Sequence, residues 1–252
     1  MPDFRVFYRP TDLEPVEIRL DAGESHHLVA VNRCSRGDAV IAFDGRGREW
    51  IPECIEPSKN STVLRVRESR QAKPLPHEIT LAQVLPKGST MDDIVRQATE
   101  VGAARIVPLI SERTQVHLDE NRADKKIEKW HTGAIEAAKQ CGNAWLPEIS
   151  PIQNFAAFVR DAKDYDLKLI ASLHAGAMTL KTALSHYREK HGPAAPHKAI
   201  WLIGPEGDFS PGELTDAITN GFQPITLGPL VLRSDTAAIY ALSILGSELM
   251  SG

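Results

Sequence analysis

The sequence predicts an α/β protein in which a small β-barrel precedes a domain built on a mostly parallel sheet. Residues 1 to about 72 contain short runs of strand-forming residues separated by tight turns, which is typical of a small barrel. From residue 79 onwards, strand-like runs alternate with helical segments, as in a parallel sheet covered by helices on both faces. A polar stretch with two prolines, residues 70–78, separates these patterns and predicts domains 1–72 and 73–252.

In the first domain, residue propensities predict five short strands, at 4–8, 16–20, 39–43, 49–55 and 62–66. Asp44-Gly45 predicts a hairpin turn between the third and fourth strands, and Gly37-Asp38 marks another turn. Residues 25–32 predict one short helix, with Ser25 as its N-cap.

In the second domain, apolar runs predict strands at 79–85, 104–110, 167–173, 199–203 and 225–227. The first helix is expected between Ser89-Thr90, which can cap it, and Gly102, which can end it. Further helices are predicted at 125–140, 155–159 and 179–187, after Ser210, and at 237–249.

Two of these strands, 199–203 and 225–227, run into Gly-Pro turns, and a helix follows each. Ser210-Pro-Gly-Glu213 is a capping box at the start of the first helix. The residues Ser234, Asp235 and Thr236 are N-cap candidates for the last helix. Because ligands in α/β sheets bind at the carboxyl ends of strands, the two glycine-rich loops predict a ligand site.

The residues of these loops indicate which ligand the site could hold. The backbone of Gly204, Gly207 and Gly228 can approach a ligand closely, and its N–H and C=O groups suit a flat, uncharged heterocycle such as adenine. Glu206 lies in a turn that needs no acid, which favours a functional role. Arg233 could face a phosphate or a developing anion. For Asp235, helix capping and function remain equally open.

Several classes of site are absent from the sequence. It contains no P-loop, no dinucleotide-binding glycine pattern, no Cys/His metal motif and no nucleophile elbow. It also contains no apolar run of about 18 residues and no secretory signal, so we expect no membrane span and a cytoplasmic location. The cysteines, Cys34, Cys54 and Cys141, are scattered and are expected to be reduced.

Charge gives a mixed indication about nucleic acids. The formal net charge of −4 argues mildly against a protein that only binds nucleic acid. A local basic cluster, Arg65, Arg67, Arg70 and Lys73, could still contact RNA, or it could be a solvated strand edge. The adjacent His26-His27 pair is interpreted as surface packing.

The two Gly-Pro loops also resemble a known family. Residues 203–210 read IGPEGDFS, with Glu213 following, and residues 227–237 read LGPLVLRSDTA. These segments are similar to the signature loops of the ribosomal RNA small subunit methyltransferase E family, a branch of the knotted SPOUT superfamily. Residues 26–29 with 37–45 resemble its PUA-like barrel, and residues 87–102, 108–114 and 136–142 resemble its catalytic domain. Asp208, Leu230 and Ser234-Asp235 stand where the family usually has Gly, Arg and Thr-Glu.

The resemblance implies a methyltransferase that uses S-adenosylmethionine to methylate N3 of a uridine in the 16S rRNA of the small ribosomal subunit. It implies a C-terminal trefoil knot, an N-terminal PUA-like RNA-binding barrel, and a homodimer without a metal or a membrane anchor. Two alternatives stay open: 2′-O-ribose methylation by the same fold, and an RNA-binding protein that keeps the loops without catalysis.

Site residues are carried over on the same resemblance. For catalysis it implies Arg233, which would stabilise charge on the uracil, and Asp235 or Glu206, which would accept the proton. For the cofactor it implies Leu202, Gly204, Glu206, Gly207, Leu227, Gly228, Leu232, Thr236 and Ala237. The residues predicted to contact RNA are Arg65, Arg67 and Arg70 of the basic cluster, together with Lys87 and Arg113.

Overall fold

The computed structural model describes residues 4–12, 14–115, 120–174 and 176–250. The chain forms two compact units. Unit 1 contains the residues up to Pro74 together with Ile135–Leu146, and unit 2 contains Leu75–Ala134 and the residues from Pro147 onwards. The sequence pattern placed one boundary near residue 72 and did not assign the middle segment to the first unit.

Unit 1 contains a five-stranded sheet in the order β1-β3-β4-β5-β2. Its strands are β1 (Arg5–Phe7), β2 (Glu17–Arg19), β3 (Ile41–Phe43), β4 (Arg48–Glu56) and β5 (Val63–Gln71). The five predicted strands are therefore confirmed. β1 pairs in parallel with β3, and the other neighbouring pairs are antiparallel. The sheet encloses an apolar cluster that includes Ile18, Leu28, Trp50 and Leu64.

The helix of unit 1 starts earlier than the sequence predicts. It comprises α1 (Ala22–His26) and a π-helical turn, His27–Val31. Asp21 is the N-cap, and its side chain accepts a hydrogen bond from the Glu24 N–H at 2.8 Å. The prediction of Ser25 as N-cap is wrong, because Ser25 lies inside the helix, is buried, and accepts a hydrogen bond from the Thr62 N–H at 2.8 Å.

The segment Ile135–Leu146 joins unit 1 through the β3–β4 hairpin. The Leu146 N–H donates to the Gly45 carbonyl, and the Gly47 N–H donates to the Ala144 carbonyl, both at 2.9 Å. Gly47 has a φ of +87°, and a Cβ there would lie 2.3 Å from the ring of Trp145. The hairpin glycine is thus required both by its backbone conformation and by this close approach.

Unit 2 contains a seven-stranded sheet in the order β12-β10-β11-β6-β7-β8, with β9 also paired to β7. All of its described strand pairs are parallel, as predicted. The strands are β6 (Glu78–Val84), β7 (Arg105–Ile110), β8 (Glu148–Ile149), β9 (Gln153–Asn154), β10 (Leu167–Ala171), β11 (Lys198–Ile203) and β12 (Gln223–Ile225). β8 and β9 were not predicted, and β12 lies two residues earlier in the chain than the strand predicted at 225–227.

The helices that follow α1 lie largely at the predicted positions. They are α2 (Thr90–Glu100), α3 (Glu120–Cys141), α4 (Phe155–Asp161), α5 (Leu180–His191), α6 (Pro211–Thr219) and α7 (Ser234–Met250). α3 begins five residues before the predicted start at Lys125. An apolar cluster of strand residues such as Val107, Ile170 and Leu202 packs with Phe155 and Phe222.

A buried histidine makes the stability of unit 2 depend on pH. His77 is 5% exposed, and burial, followed by the charge of His197, lowers its pKa below the ordinary 6.5. The folded chain therefore binds this proton less tightly than the unfolded chain. We expect the contribution of the neutral His77 side chain to the free energy of unfolding to be complete above pH 6.5 and to be lost as pH falls below that value. As pH is lowered from 8 to 5, the melting temperature should fall less for His77→Gln than for His186→Gln, the exposed control.

Candidate functional site

The carboxyl ends of three neighbouring parallel strands open into one pocket. β10, β11 and β12 lie side by side, and they end at Ala171, Ile203 and Ile225. The pocket, called here the loop pocket, has a volume of about 590 Å³, including its part open to solvent. It is lined by Ala171, Ser172, Leu173, Ile203, Gly204, Pro205, Glu206, Asp208, Leu227, Gly228, Leu230, Val231, Leu232, Ser234 and Ala237.

The first loop of the pocket is fixed by the predicted capping box. The Ser210 hydroxyl accepts a hydrogen bond from the Glu213 N–H at 3.2 Å, and the Glu213 carboxylate accepts one from the Ser210 N–H at 2.9 Å. Asp208 has a φ of +58°, in the left-handed region. Its carboxylate accepts a hydrogen bond from the Phe209 N–H at 2.8 Å. This left-handed conformation is a physical reason for glycine to be favoured at position 208. Asp tolerates the conformation better than most other residues do.

The second loop turns at Gly228, which has a φ of +122°. The Thr226 hydroxyl accepts a hydrogen bond from the Gly228 N–H at 3.2 Å. Leu230 and Val231 follow, and they are 73% and 78% exposed although they line the pocket. α7 begins at Ser234, so the three N-cap candidates predicted for it are instead its first helical residues.

A buried hydrogen-bond chain joins the two loops. The Ser234 hydroxyl donates to the Gly204 carbonyl at 2.9 Å. The same hydroxyl accepts a hydrogen bond from the Gln83 amide at 2.9 Å, and that amide nitrogen also donates to the Val84 carbonyl at 2.8 Å. Gln83 is fully buried at the end of β6. Gln83 and the Ser234 hydroxyl therefore fix the Gly204 backbone in the pocket wall, a role that no sequence pattern indicated.

We expect Gln83→Leu to weaken ligand binding in the loop pocket. Its amide hydrogen bond to Ser234 fixes the Gly204 backbone, and a hydrogen bond of this kind is worth about 1 kcal/mol, or roughly fivefold in affinity. Isothermal titration with S-adenosylhomocysteine, the demethylated product of the cofactor that the family resemblance implies, measures the change in affinity. Thr80→Val, a buried substitution on the same strand outside the pocket lining, is the control and should bind like the unaltered chain.

The loop pocket contains some of the residues predicted for it and not others. Those in its lining are Gly204, Glu206, Leu227, Gly228, Leu232 and Ala237. Leu202, Gly207 and Thr236 are outside the lining, and Leu202 packs in the apolar core of the sheet. Ala171, Ser172 and Leu173 were missed, although the parallel strand predicted at 167–173 indicated where they would lie.

Arg233 and Asp235 form an ion pair with 3.6 Å between the Arg233 Nε and the Asp235 Oδ1. The Arg233 side chain is 82% exposed, and neither residue lines the pocket in the described parts of the chain. The guanidinium therefore points into solvent in this conformation, where a large substrate could reach it.

A second opening, called here the Glu206 cleft, shares one wall with the loop pocket. It is lined by Lys87, Glu112, Arg113, Thr114, Gln115, Glu206 and Gly207. The Glu206 carboxylate accepts a hydrogen bond from the Lys87 backbone N–H at 3.2 Å. The Arg113 guanidinium donates to the Gly207 carbonyl at 2.5 Å. Two predicted RNA-binding residues and one predicted catalytic residue thus lie around one cleft.

The three basic residues predicted on β5 are each paired with a carboxylate. Arg65 pairs with Glu17 at 3.1 Å, Arg67 with Glu53 at 2.7 Å, and Arg70 with the buried Glu49 at 2.8 Å. Their side chains remain about half exposed. β5 is paired with β2 as well as β4 over residues 63–65, so this part of the strand is not a sheet edge.

Neither a cluster of metal-ligating side chains nor a membrane-spanning helix is found among the described residues. No group of three or more His, Cys, Asp or Glu side chains is arranged there to hold a metal ion. No described helix is both long and apolar enough to cross a membrane. The three cysteines are free thiols, and burial, with smaller effects from Cys54 and Asp38, raises the pKa of Cys34 to about 12.

Comparison with known proteins identifies relatives of both units. Residues 73–246 match the RNA methyltransferase domain family, and residues 20–68 match the RNA methyltransferase PUA domain family. Ribosomal RNA small subunit methyltransferase E of Synechocystis is 31% identical, over 98% of this chain and 78% of its own. The Bacillus subtilis protein of the same name is also 31% identical, over 91% of this chain and 90% of its own.

Two solved structures are similar over 97% of both chains. One is a Legionella pneumophila structure described as a methyltransferase with bound cofactor SAM, with a TM-score of 0.87 and 33% identity. The other is ribosomal RNA small subunit methyltransferase E of Neisseria gonorrhoeae bound to S-adenosyl methionine, with a TM-score of 0.83 and 26% identity.

Proposed function

This chain belongs to the ribosomal RNA small subunit methyltransferase E family, and on that premise we propose that it methylates N3 of a uridine in 16S rRNA, with S-adenosylmethionine as methyl donor. The observation that carries the proposal is the position of Glu206. Its carboxylate lies in the wall shared by the loop pocket and the Glu206 cleft. A proton acceptor at the border between a cofactor pocket and a polar cleft suits methylation of a weakly acidic N–H.

The residues of the loop pocket fit S-adenosylmethionine. The walls are apolar at Leu227, Leu232 and Ala237, which suits the flat adenine ring. The turns at Gly204 and Gly228 expose backbone groups that can bind the polar edge of adenine and the ribose. When bound, the cofactor supplies an electrophilic methyl group. The chain itself supplies the pocket that orients the cofactor and the carboxylate beside it.

Glu206 is the proposed proton acceptor, and Arg233 is proposed to stabilise negative charge on the uracil carbonyl oxygens when RNA is bound. The 82% exposure of the Arg233 side chain supports this, because an arginine on the surface can turn toward a large substrate. Asp235 is proposed to orient Arg233 through their ion pair, and it is the alternative proton acceptor.

The remaining elements of the proposal concern assembly and RNA binding. Residues 1–72 are proposed to form an RNA-binding domain that uses Arg65, Arg67 and Arg70, and residues 73–252 to form a knotted catalytic domain that acts as a homodimer in the cytoplasm. The match of residues 20–68 to the PUA domain family supports the first point. The exposed apolar side chains of Leu230 and Val231 support a partner chain at the second loop.

The test is transfer of labelled methyl groups from S-adenosylmethionine to small ribosomal subunits from cells that lack this protein, with the product nucleoside identified. We expect 3-methyluridine. A 2′-O-methylated nucleoside would show that the fold is used for ribose methylation instead. RNA binding without cofactor binding or transfer would favour the non-catalytic alternative.

A further inference from the structure

We propose that the Glu206 cleft is the binding site for the uracil ring of the target nucleotide, and that Lys87, Glu206 and Arg113 recognise its hydrogen-bonding edge. The inference rests on the proposed function and adds the place and chemistry of base recognition. A base that is methylated at a ring nitrogen must leave its stack and enter a pocket of its own. The Glu206 cleft is such an opening, and it shares Glu206 with the loop pocket.

The groups around the cleft complement uracil. The uracil edge presents an acceptor, a donor and an acceptor: O4, the N3–H and O2. Lys87 and Arg113 carry only donors, and a Glu206 carboxylate carries only acceptors. Because all three residues line one cleft, the two cations can bind the carbonyl oxygens while the carboxylate accepts the N3–H. The cytosine edge has a lone pair at N3, which a carboxylate would repel.

These groups are available to a ligand. Lys87, Glu206 and Arg113 are exposed, and neither cation forms an ion pair with a carboxylate among the described residues. Among the residues that the structure describes, Lys87 uses only its backbone N–H, which donates to Glu206, so its ammonium group can turn into the cleft. The Arg113 bond to the Gly207 carbonyl occupies one of five guanidinium N–H groups.

The cleft is also held in shape by a residue that the sequence predicts only as a cap. The Glu213 Oε2 accepts a hydrogen bond from Ser210, while its Oε1 accepts one from the Glu112 N–H at 2.8 Å. Glu213 is 5% exposed. Its carboxylate therefore ties the loop that carries Arg113 to the loop that carries Glu206, which makes Glu213 a positioning residue for the cleft.

The reaction proposed at the cleft is a nucleophilic substitution at the methyl carbon of the donor. The N3 proton passes to the Glu206 carboxylate, and the N3 electron pair forms a bond to the methyl carbon of the sulfonium donor. The carbon–sulfur bond breaks with its electron pair left on sulfur, which yields neutral S-adenosylhomocysteine and 3-methyluridine. Donors from Lys87 and Arg113 at O4 and O2 would stabilise the uracil anion formed on loss of the proton, in addition to the charge stabilisation proposed for Arg233.

The test compares small ribosomal subunits that carry uridine or cytidine at the target position. Filter binding in the presence of S-adenosylhomocysteine gives affinity, and methyl transfer gives kcat/KM. For Lys87→Met and Arg113→Gln we expect kcat/KM on the uridine substrate to fall about tenfold or more, and the preference for uridine in binding to shrink. Lys181→Met, which removes an exposed lysine outside the cleft, should leave both values unchanged.

Two results would overturn the inference. One is an equal loss of affinity for uridine and cytidine substrates in both variants, since that would mean that the cleft holds RNA phosphates. The other is no change at all in binding preference or kcat/KM. Failure of the proposed function would be seen separately, as a product other than 3-methyluridine from the unaltered chain.

A paired substitution tests the positioning role of Glu213. Glu213→Gln keeps a side chain of the same size but has one acceptor oxygen for two backbone N–H groups, whereas Ser210→Ala removes the cap and leaves the Glu112 contact intact. We expect Glu213→Gln alone to raise KM for the ribosomal substrate several-fold at unchanged affinity for S-adenosylhomocysteine. Equal KM values in the two variants would show that Glu213 acts only as a helix cap.

Discussion

Glu206→Gln should lower kcat for methyl transfer by about 10²- to 10⁴-fold, the range that loss of a general base produces. Glutamine has the size of glutamate and keeps an oxygen for the hydrogen bond from the Lys87 N–H, so the first loop should keep its shape. What disappears is the carboxylate that is the proposed acceptor of the N3 proton. Single-turnover methyl transfer measures the loss, and titration with S-adenosylhomocysteine should give a dissociation constant within about twofold of the original.

The matched control is Glu112→Gln. Glu112 also lines the Glu206 cleft, but the hydrogen bond that ties it to Glu213 uses its backbone N–H and not its carboxylate. This substitution removes the same charge from the same cleft and should change kcat less than about threefold. Similar losses in the two variants would mean that overall charge, and not proton transfer by Glu206, sets the rate.

Arg233→Ala should lower kcat by about 10²-fold or more, because removal of one donor to a developing anion has an effect of this size. The Arg233 side chain is 82% exposed, so the melting temperature should hardly change. Affinity for S-adenosylhomocysteine should also persist, since Arg233 does not line the loop pocket among the described residues. The measurements are kcat on small subunits, the melting temperature and the cofactor titration.

Two further variants separate the possible roles of the ion pair between Arg233 and Asp235. Arg233→Lys keeps the charge without the planar guanidinium and should restore part of the rate. Asp235→Asn removes the partner at 3.6 Å and should have a smaller effect than Glu206→Gln, because Glu206 is the proposed acceptor. A larger loss for Asp235→Asn would move the proton-acceptor role to Asp235, and full turnover by Arg233→Ala would remove Arg233 from the mechanism.

The architecture of both units could be predicted because their elements depend on local patterns. Alternating strand and helix segments predicted the parallel sheet, and the Ser210-Pro-Gly-Glu213 spacing predicted a capping box that the structure confirms. Where local signals are weak, the predictions missed. β8 and β9 have two residues each, too few for a periodic pattern. The cap at Asp21 competed with a serine four residues later, Ser25, that is buried by tertiary packing.

The candidate site was predicted in part for a similar reason. Glycine and proline mark the two loops directly, so their convergence could be expected from parallel strands. Gln83 left one signal, a single amide within the apolar run of β6, but its partner Ser234 lies far along the chain. The second hydrogen bond of Glu213 is likewise non-local, because sequence spacing can indicate the contact with Ser210 but not the one with Glu112.

The discontinuous first unit has a consequence for biosynthesis. Its β3–β4 hairpin forms backbone hydrogen bonds with residues 144–146, which belong to the segment that follows most of helix α3. As the ribosome makes the chain from its N-terminus, unit 1 cannot be completed until residue 146 has left the exit tunnel, long after its own strands have emerged. A fragment that stops at residue 74 would lack these partners, so unit 1 reaches its full set of hydrogen bonds only after part of the methyltransferase unit has been synthesised.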